Sequence, residues 1–173
     1  MVSVIAGTNR KDSNSAIFTD AISKILKTKD VEHRVLNLVD LPEDFVFTNE
    51  VYGGTNQTLL EIQDKHVTEA DKFVFVLPEY NGSFPGVAKA FIDSFSPSRI
   101  HNKKALLVGI SSGRAGNLRG MEHFTGVLNY LRVAVYPFKP AVAHCTQVIE
   151  DNEVKDEKTL NLLSNTLDDF LAF

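Results

Sequence analysis

Phe73-Val74-Phe75-Val76-Leu77-Pro78-Glu79-Tyr80-Asn81-Gly82-Ser83-Phe84-Pro85-Gly86 is the stretch whose reading decides the fold. Phe73–Leu77 is wholly apolar, which suits a strand covered on both faces of a sheet. The strand stops at Pro78, a loop follows, and Pro85 opens a helix on which Val87, Phe91 and Phe95 share one side. Proline is tolerated in a first helical turn because its missing N–H has no partner there anyway.

Outward from this unit the same alternation repeats. Val2–Ala6 is a short β-branched strand, followed by Gly7 and a polar loop through Ser15. Ile17, Ala21 and Ile25, with Phe18, Ile22 and Leu26 beside them, carry the four-residue spacing of an amphipathic helix. Glu32–Leu38 reads as a second strand, Pro42–Asn56 as a long loop around Gly53-Gly54, and Leu59–Ala70 as a helix. Ala105–Ile110 is another buried strand with the polar, glycine-rich exit Ser111–Asn117. A helix over Leu118–Leu131 leads to a strand near Val133–Tyr136. The acidic stretch Glu150–Glu157 is most simply a solvated turn before a closing helix carrying Leu160, Leu163, Leu167 and Phe170. Strands and helices alternate with no composition break, repeat or linker, which implies a parallel sheet with helices on both faces. Five strands in 173 residues fit a three-layer α/β fold of the flavodoxin-like kind, strand order 2-1-3-4-5, as a single domain over residues 1–173.

Composition narrows the function. Net charge is −4 and no Lys/Arg-rich run occurs, which argues against broad contact with nucleic acid or an anionic membrane. A small anion held by one local cluster stays allowed. The single cysteine, Cys145, excludes an intramolecular disulfide and a cysteine-based metal cluster. The histidines lack metal-ligand spacing, and Cys145 reads as a small core residue. No stretch approaches the ~20 apolar residues of a membrane-spanning helix, and MVSVIAG is too quickly polar for a secretory segment. A cytoplasmic protein is expected.

In open α/β sheets ligands lie beyond the carboxyl ends of the strands, at the switch point between strands 1 and 3. The first loop there is Gly7-Thr8-Asn9-Arg10-Lys11-Asp12-Ser13-Asn14-Ser15. It leads into a helix N-terminus, whose unpaired N–H groups and dipole favour an anion. Thr8, Ser13 and Ser15 add hydroxyls, and Arg10 adds a forked cation suited to phosphate. The alternative is that Ser13 or Asn14 is simply the helix N-cap. The loop satisfies neither G-x-G-x-x-G nor G-x-x-x-x-G-K-[ST]. In the second loop, Pro78 to Gly86, Tyr80 offers an aromatic face, and Asn81 with the exposed backbone can hydrogen-bond a flat heterocycle. The alternative is an ordinary strand-to-helix turn with Ser83 as cap and Tyr80 as surface packing.

Together these two loops resemble the NADPH-dependent FMN reductase family, which includes bacterial azo, quinone and chromate reductases. The family pattern runs approximately G-S-x-R-x-x-S-x-N in the first loop and P-E-Y-N-x-S-x-P-G in the second. This chain has Thr8 for the serine and Ser15 for the asparagine, both still able to donate a hydrogen bond. The resemblance runs from the first strand to about Pro140 and includes the helix from Val87. It implies that Thr8, Arg10, Ser13 and Ser15 surround the FMN phosphate, and that Pro78, Glu79, Tyr80 and Asn81 line the isoalloxazine with Ser83 close by. The third loop, Ser111 to Arg119, is similar to the family's other flavin-side loop. It is about one residue shorter, with Asn117 where a glycine is expected, and Ser112 and Gly113 would contact the flavin. Arg119 belongs either to that loop or to a helix or dimer surface.

The resemblance further implies a ping-pong cycle in which NADPH or NADH delivers hydride and leaves, and a small-molecule electron acceptor such as a quinone or azo compound takes it up. No catalytic side chain and no metal is required. A homodimer or homotetramer is implied, with Phe45, Phe47 and Tyr52 of the long loop as candidate covers for the site. Three other readings share parts of the pattern. One is a flavodoxin-type electron carrier, although such proteins are usually more acidic and lack an arginine like Arg10. The second is a flavin-binding protein without turnover. The third is a serine hydrolase using Ser111 in Gly109-Ile110-Ser111-Ser112-Gly113, which lacks an HGGG-type oxyanion motif and whose helix begins too late.

Overall fold

A computed structural model describes residues 1–173. In chain order its elements are β1 (Val2–Ala6), α1 (Asn14–Thr28), β2 (His33–Asn37), α2 (Phe45–Thr48), α3 (Gln57–Gln63), β3 (Lys72–Pro78), α4 (Gly86–Asp93), β4 (Lys104–Ile110), α5 (Leu118–Tyr130), β5 (Ala134–Val135), β6 (Ala141–Val142), β7 (Ile149–Glu150), β8 (Glu153–Val154) and α6 (Glu157–Ala172). The main sheet is parallel in the order β2-β1-β3-β4-β5, with β6 also on β4. The expected order therefore holds, and it puts β1 and β3 side by side.

The side-chain period of two divides the sheet between two cores. Ile5, Phe73, Phe75, Leu77, Ala105 and Leu107 face α3, α4 and α5, where Leu59, Phe91, Met121, Phe124 and Leu128 complete one apolar layer. Val2, Val4, Val74, Val76, Leu106 and Val108 face α1 and α6, meeting Phe18, Ile22, Leu26, Leu163, Leu167 and Phe170. Phe73–Leu77 is wholly apolar because both of its faces are covered. At the amino-terminal ends of β3 and β4, Lys72 donates to the carbonyls of Phe170 and Leu171 at 3.1 and 2.6 Å, and Lys104 donates to that of Phe173. These ammonium groups satisfy carbonyls that the end of α6 leaves open.

Several local expectations are refined. The strand expected near Val133–Tyr136 is present as β5, but the edge continues in a second segment, β6. Its β5 segment pairs with Lys104 and Ala105, its β6 segment with Gly109 and Ile110, and Pro137 and Pro140 lie between them. Proline cannot donate to the ladder, so the edge strand is interrupted where the two prolines fall. The stretch from Glu150 is not only a turn, because β7 and β8 form an antiparallel hairpin. Its Asp151-Asn152 corner takes positive φ at both residues, the backbone of a tight two-residue turn. Within the loop Pro42–Asn56, α2 turns Phe45 into the core, 4% exposed, while Phe47 is 92% exposed.

The helix of α3 ends sooner than the expected Ala70 and continues as one π-helical turn over Asp64–Thr68. That turn buries His66 with its Nδ1 unpartnered. Burial, with Lys65 and Arg34 nearby, pushes the imidazole down from 6.5 to about 4. The unfolded chain therefore binds this proton at higher pH than the folded one. Stability should fall as pH drops from about 6.5 toward 4, by at most about 1.4 kcal/mol per unit from this group. Urea midpoints at pH 7 and pH 5 should separate in the wild-type protein and draw closer together in a His66→Leu variant.

Candidate functional site

The carboxyl ends of β1, β3 and β4 open on a polar cavity of about 220 Å³. It is lined by Arg10, Ser13, Asn14 and Ser15 from the first loop, and by Pro78, Glu79 and Tyr80 from the second. Ile110, Ser111 and Ser112 from the third and Cys145 from beyond β6 complete it.

Gly7 lets the first loop leave β1 beside β3. Its N–H donates to Val76 O at 2.9 Å, and a Cβ there would lie 2.6 Å from Leu77 Cδ2. Thr8 is buried and shares a 2.7 Å hydrogen bond with the Tyr80 hydroxyl, while its Oγ1 accepts from Arg10 N. Ser13 is the N-cap of α1, with Oγ accepting from Ala16 N at 3.3 Å, so the capping reading is correct at this residue. Lining the cavity and capping the helix are compatible for Ser13. The N–H groups of Lys11, Asp12, Ser13, Asn14 and Ser15 find no acceptor in the chain. Arg10 is exposed and forms no ion pair with any acidic residue.

The decisive atom is Ser15 Oγ. It belongs to a residue that is 0% exposed, it has no hydrogen-bond partner, and the residue lines the cavity. A buried hydroxyl without a partner costs about 1–3 kcal/mol, and a ligand oxygen in the cavity would relieve that cost. Free N–H groups, two serine hydroxyls and an unpaired guanidinium form a donor set for an anion with several oxygens. A phosphate monoester fits it.

The second loop is a hairpin. Tyr80 and Ser83 exchange backbone hydrogen bonds at 2.9 and 3.1 Å across Asn81-Gly82, whose φ values are 51° and 77°. Pro85, not Ser83, sits at the N-cap of α4. Ser83 Oγ instead shares a 2.9 Å hydrogen bond with His123 Nδ1 on α5. In the third loop, Ser111 Oγ donates to Gly113 O and accepts from Gly116 N, both at 2.8 Å. Those bonds hold the loop in place and give Ser111 no histidine partner, so the hydrolase reading has no base to stand on. His144 N and Cys145 N donate to Gly113 O and Ser111 O and bring Cys145 under the cavity. Burial pushes the Cys145 thiol up, against a hydrogen bond from Asn14 Nδ2, and an uncharged thiol is a poor nucleophile.

Of the residues named from sequence, Arg10, Ser13, Ser15, Pro78, Glu79, Tyr80 and Ser112 line the cavity, and Thr8 props Tyr80 from behind. Asn81 is exposed at the hairpin turn, Ser83 is turned toward α5, and Gly113 contributes its carbonyl to loop closure. None of these three lines the cavity. Sequence reasoning missed Asn14, Ile110 and Cys145, and did not assign Ser111 to the cofactor. Asn14 lay inside the quoted loop, whereas nothing local marks Cys145, which arrives through the β6 crossover.

A doubly wound parallel sheet with an anion cradle at its switch point defines a mononucleotide-binding α/β protein. Comparison with known proteins narrows the class. The model of the NADPH-dependent FMN reductase family matches residues 1–147. An NAD(P)H-dependent FMN reductase of Pseudomonas aeruginosa is 32% identical over 133 residues, 75% of this chain and 69% of the relative. A quinone reductase of Escherichia coli is 29% identical across 99% of this chain and 94% of its own. Among solved structures, a flavoenzyme NAD(P)H:acceptor oxidoreductase from Paracoccus denitrificans shares the fold, with a TM-score of 0.76 at 24% identity, covering 99% of this chain and 94% of that one. The chain belongs to the NADPH-dependent FMN reductase family. It is an oxidoreductase whose cofactors are FMN and NAD(P)H.

The Thr8–Tyr80 strut is testable without any ligand. Thr8→Val and Tyr80→Phe should each destabilise the protein by about 1 kcal/mol, with a coupling of similar size in the double-mutant cycle. Denaturation of the four proteins in urea measures it.

Proposed function

We propose that the cavity at the ends of β1, β3 and β4 holds FMN, and that a quinone, azo compound or similar small molecule is the acceptor. The observation that carries this is the unpartnered, fully buried Ser15 hydroxyl in a cavity that the unpaired Arg10 also lines. In this reading Thr8, Arg10, Ser13 and Ser15 surround the phosphate, with Asn14 beside them. Arg10 supplies a two-pronged cation, Ser15 donates from its hydroxyl, and the open end of α1 contributes its N–H groups. Pro78, Glu79 and Tyr80 form the wall against the ring system, with Ser112 opposite. Asn81 and Ser83 act one step back, shaping the hairpin that presents Tyr80, and Gly113 through the carbonyl that closes the third loop.

When bound, FMN supplies the hydride chemistry, accepting from NAD(P)H and passing reducing equivalents on. The chain's own work is to bind, orient and leave one face accessible. Purified protein should be yellow, and anaerobic NADPH alone, with no partner reductase, should bleach the visible flavin band. Arg10→Ala and Ser15→Ala should each raise the FMN dissociation constant roughly 10- to 100-fold, the loss of one charge-assisted or buried hydrogen bond. Colourless protein that takes up no added FMN would sink the proposal.

We further infer a homodimer, or a tetramer of such dimers, built on the α4–α5 face. A hollow of about 690 Å³ there is lined by Tyr52, Ile92, His123, Val127, Tyr130 and Leu131 among others, and Tyr130 is 87% exposed. Exposed aromatic side chains around an apolar floor are what a self-complementary interface uses. His123 joins this face to Ser83, so a second copy would stand beside the mouth of the site. The single free cysteine and the need for NAD(P)H suit a reducing compartment, the cytoplasm. Sedimentation should find a dimer that Tyr130→Glu converts to monomer, and a monomeric wild type would refute the interface.

A further inference from the structure

Asn117 stands at the N-cap of α5 but does not cap it. Its φ is 63°, in the left-handed region where asparagine is among the few tolerated side chains, and its side chain makes no capping hydrogen bond. The residue is 0% exposed. Nδ2 donates instead to Leu77 O at 2.9 Å, while Oδ1 is buried without a partner.

Leu77 is the residue before Pro78, where β3 gives way to the hairpin that carries Glu79 and Tyr80. Beyond that point the second loop is held to its neighbour by Glu79 N donating to Ile110 O at 3.0 Å. Asn117 adds a second tie, out of the third loop. Gly120 shows how closely these parts approach. A Cβ there would lie 2.0 Å from Asn117 Oδ1, 2.6 Å from Ser83 C and 2.7 Å from Phe84 N. The first turn of α5 thus presses on the backbone that closes the hairpin, with the Asn117 amide beside the contact.

We propose that Asn117 is a positioning residue for the flavin site: its amide sets the spacing between the Pro78–Ser83 and Ser111–Asn117 segments, the two walls between which the ring system lies. The inference rests on the FMN reading above and extends it to a side chain that does not line the cavity. A helix cap would aim this amide at its own first turn. Here the amide reaches a carbonyl of the other wall, and its backbone holds a conformation that a β-branched or bulky residue would strain.

Asn117→Gly keeps the left-handed backbone and removes the tie. Asn117→Asp keeps the shape but cannot donate to Leu77 O. FMN titration of the apo-proteins, read by quenching of flavin fluorescence, should show the dissociation constant raised about 10-fold in both. The visible circular dichroism of the bound flavin should change as well. Leu163→Ala, remote in the α6 core, should lower the melting temperature and leave FMN affinity within about twofold, as expected of distant independent sites. In the wild-type protein, the Asn117 side-chain NH₂ resonances should shift when FMN is added, a measurement that needs no variant. Wild type that binds FMN with unmoved Asn117 resonances, or folded variants that bind as wild type does, would overturn this inference alone. Wild type that binds no FMN would overturn the proposed function and this inference with it.

Discussion

The open end of α1 is the constraint on which the rest depends. A helix leaves its first N–H groups without internal partners, and here Ser13 satisfies only one of them, through the Ala16 bond. The chain brings no carboxylate and no carbonyl to the remaining donors. It brings more donors, Ser15 Oγ among them, and a guanidinium without a counter-charge. Such an assembly is satisfied by an anion from outside. Placing it demands that β1 and β3 be neighbours, that Gly7 carry no side chain against Leu77, and that α1 pack its apolar side on the sheet.

Around this cradle the second and third loops are held by few contacts, each placed where a strand ends. The Thr8–Tyr80 bond joins the first loop to the second, and the Asn117–Leu77 bond joins the third to the second. Ser111 closes its own loop on Gly113 and Gly116. Gly116 sits at φ 55°, and a Cβ there would lie 2.6 Å from Ala141 C, so the third loop is also pressed against β6. A rigid sheet thus fixes three loop origins, and a few buried polar bonds fix the loop ends. Cofactor chemistry in this family needs little more from the protein than such placement.

The architecture was legible in sequence because burial writes itself into composition. Phe73–Leu77 and Ala105–Ile110 are unbroken apolar runs because helices cover both faces, and Phe18, Ile22 and Leu26 repeat at helical spacing because one side of α1 is buried. The first loop could be read as an anion site because glycine, hydroxyls and arginine precede a helix. Two hairpins were missed although their signals were present. Asn81-Gly82 and Asp151-Asn152 are both two-residue turns of positive φ, flanked by segments too short for a period of two to stand out.

By itself the sequence determined the layers and the strand order, since both follow from local pattern and from the geometry of parallel crossovers. Only the tertiary structure decided which hydroxyl is left without a partner, where Ser83 turns, and that Asn117 and Cys145 belong to the neighbourhood of the site. Those outcomes depend on contacts between segments 30 residues or more apart, such as Ser83 with His123, Asn117 with Leu77, and Asn14 with Cys145. No spacing within one segment encodes the distance between two strand ends. Packing of the sheet sets it.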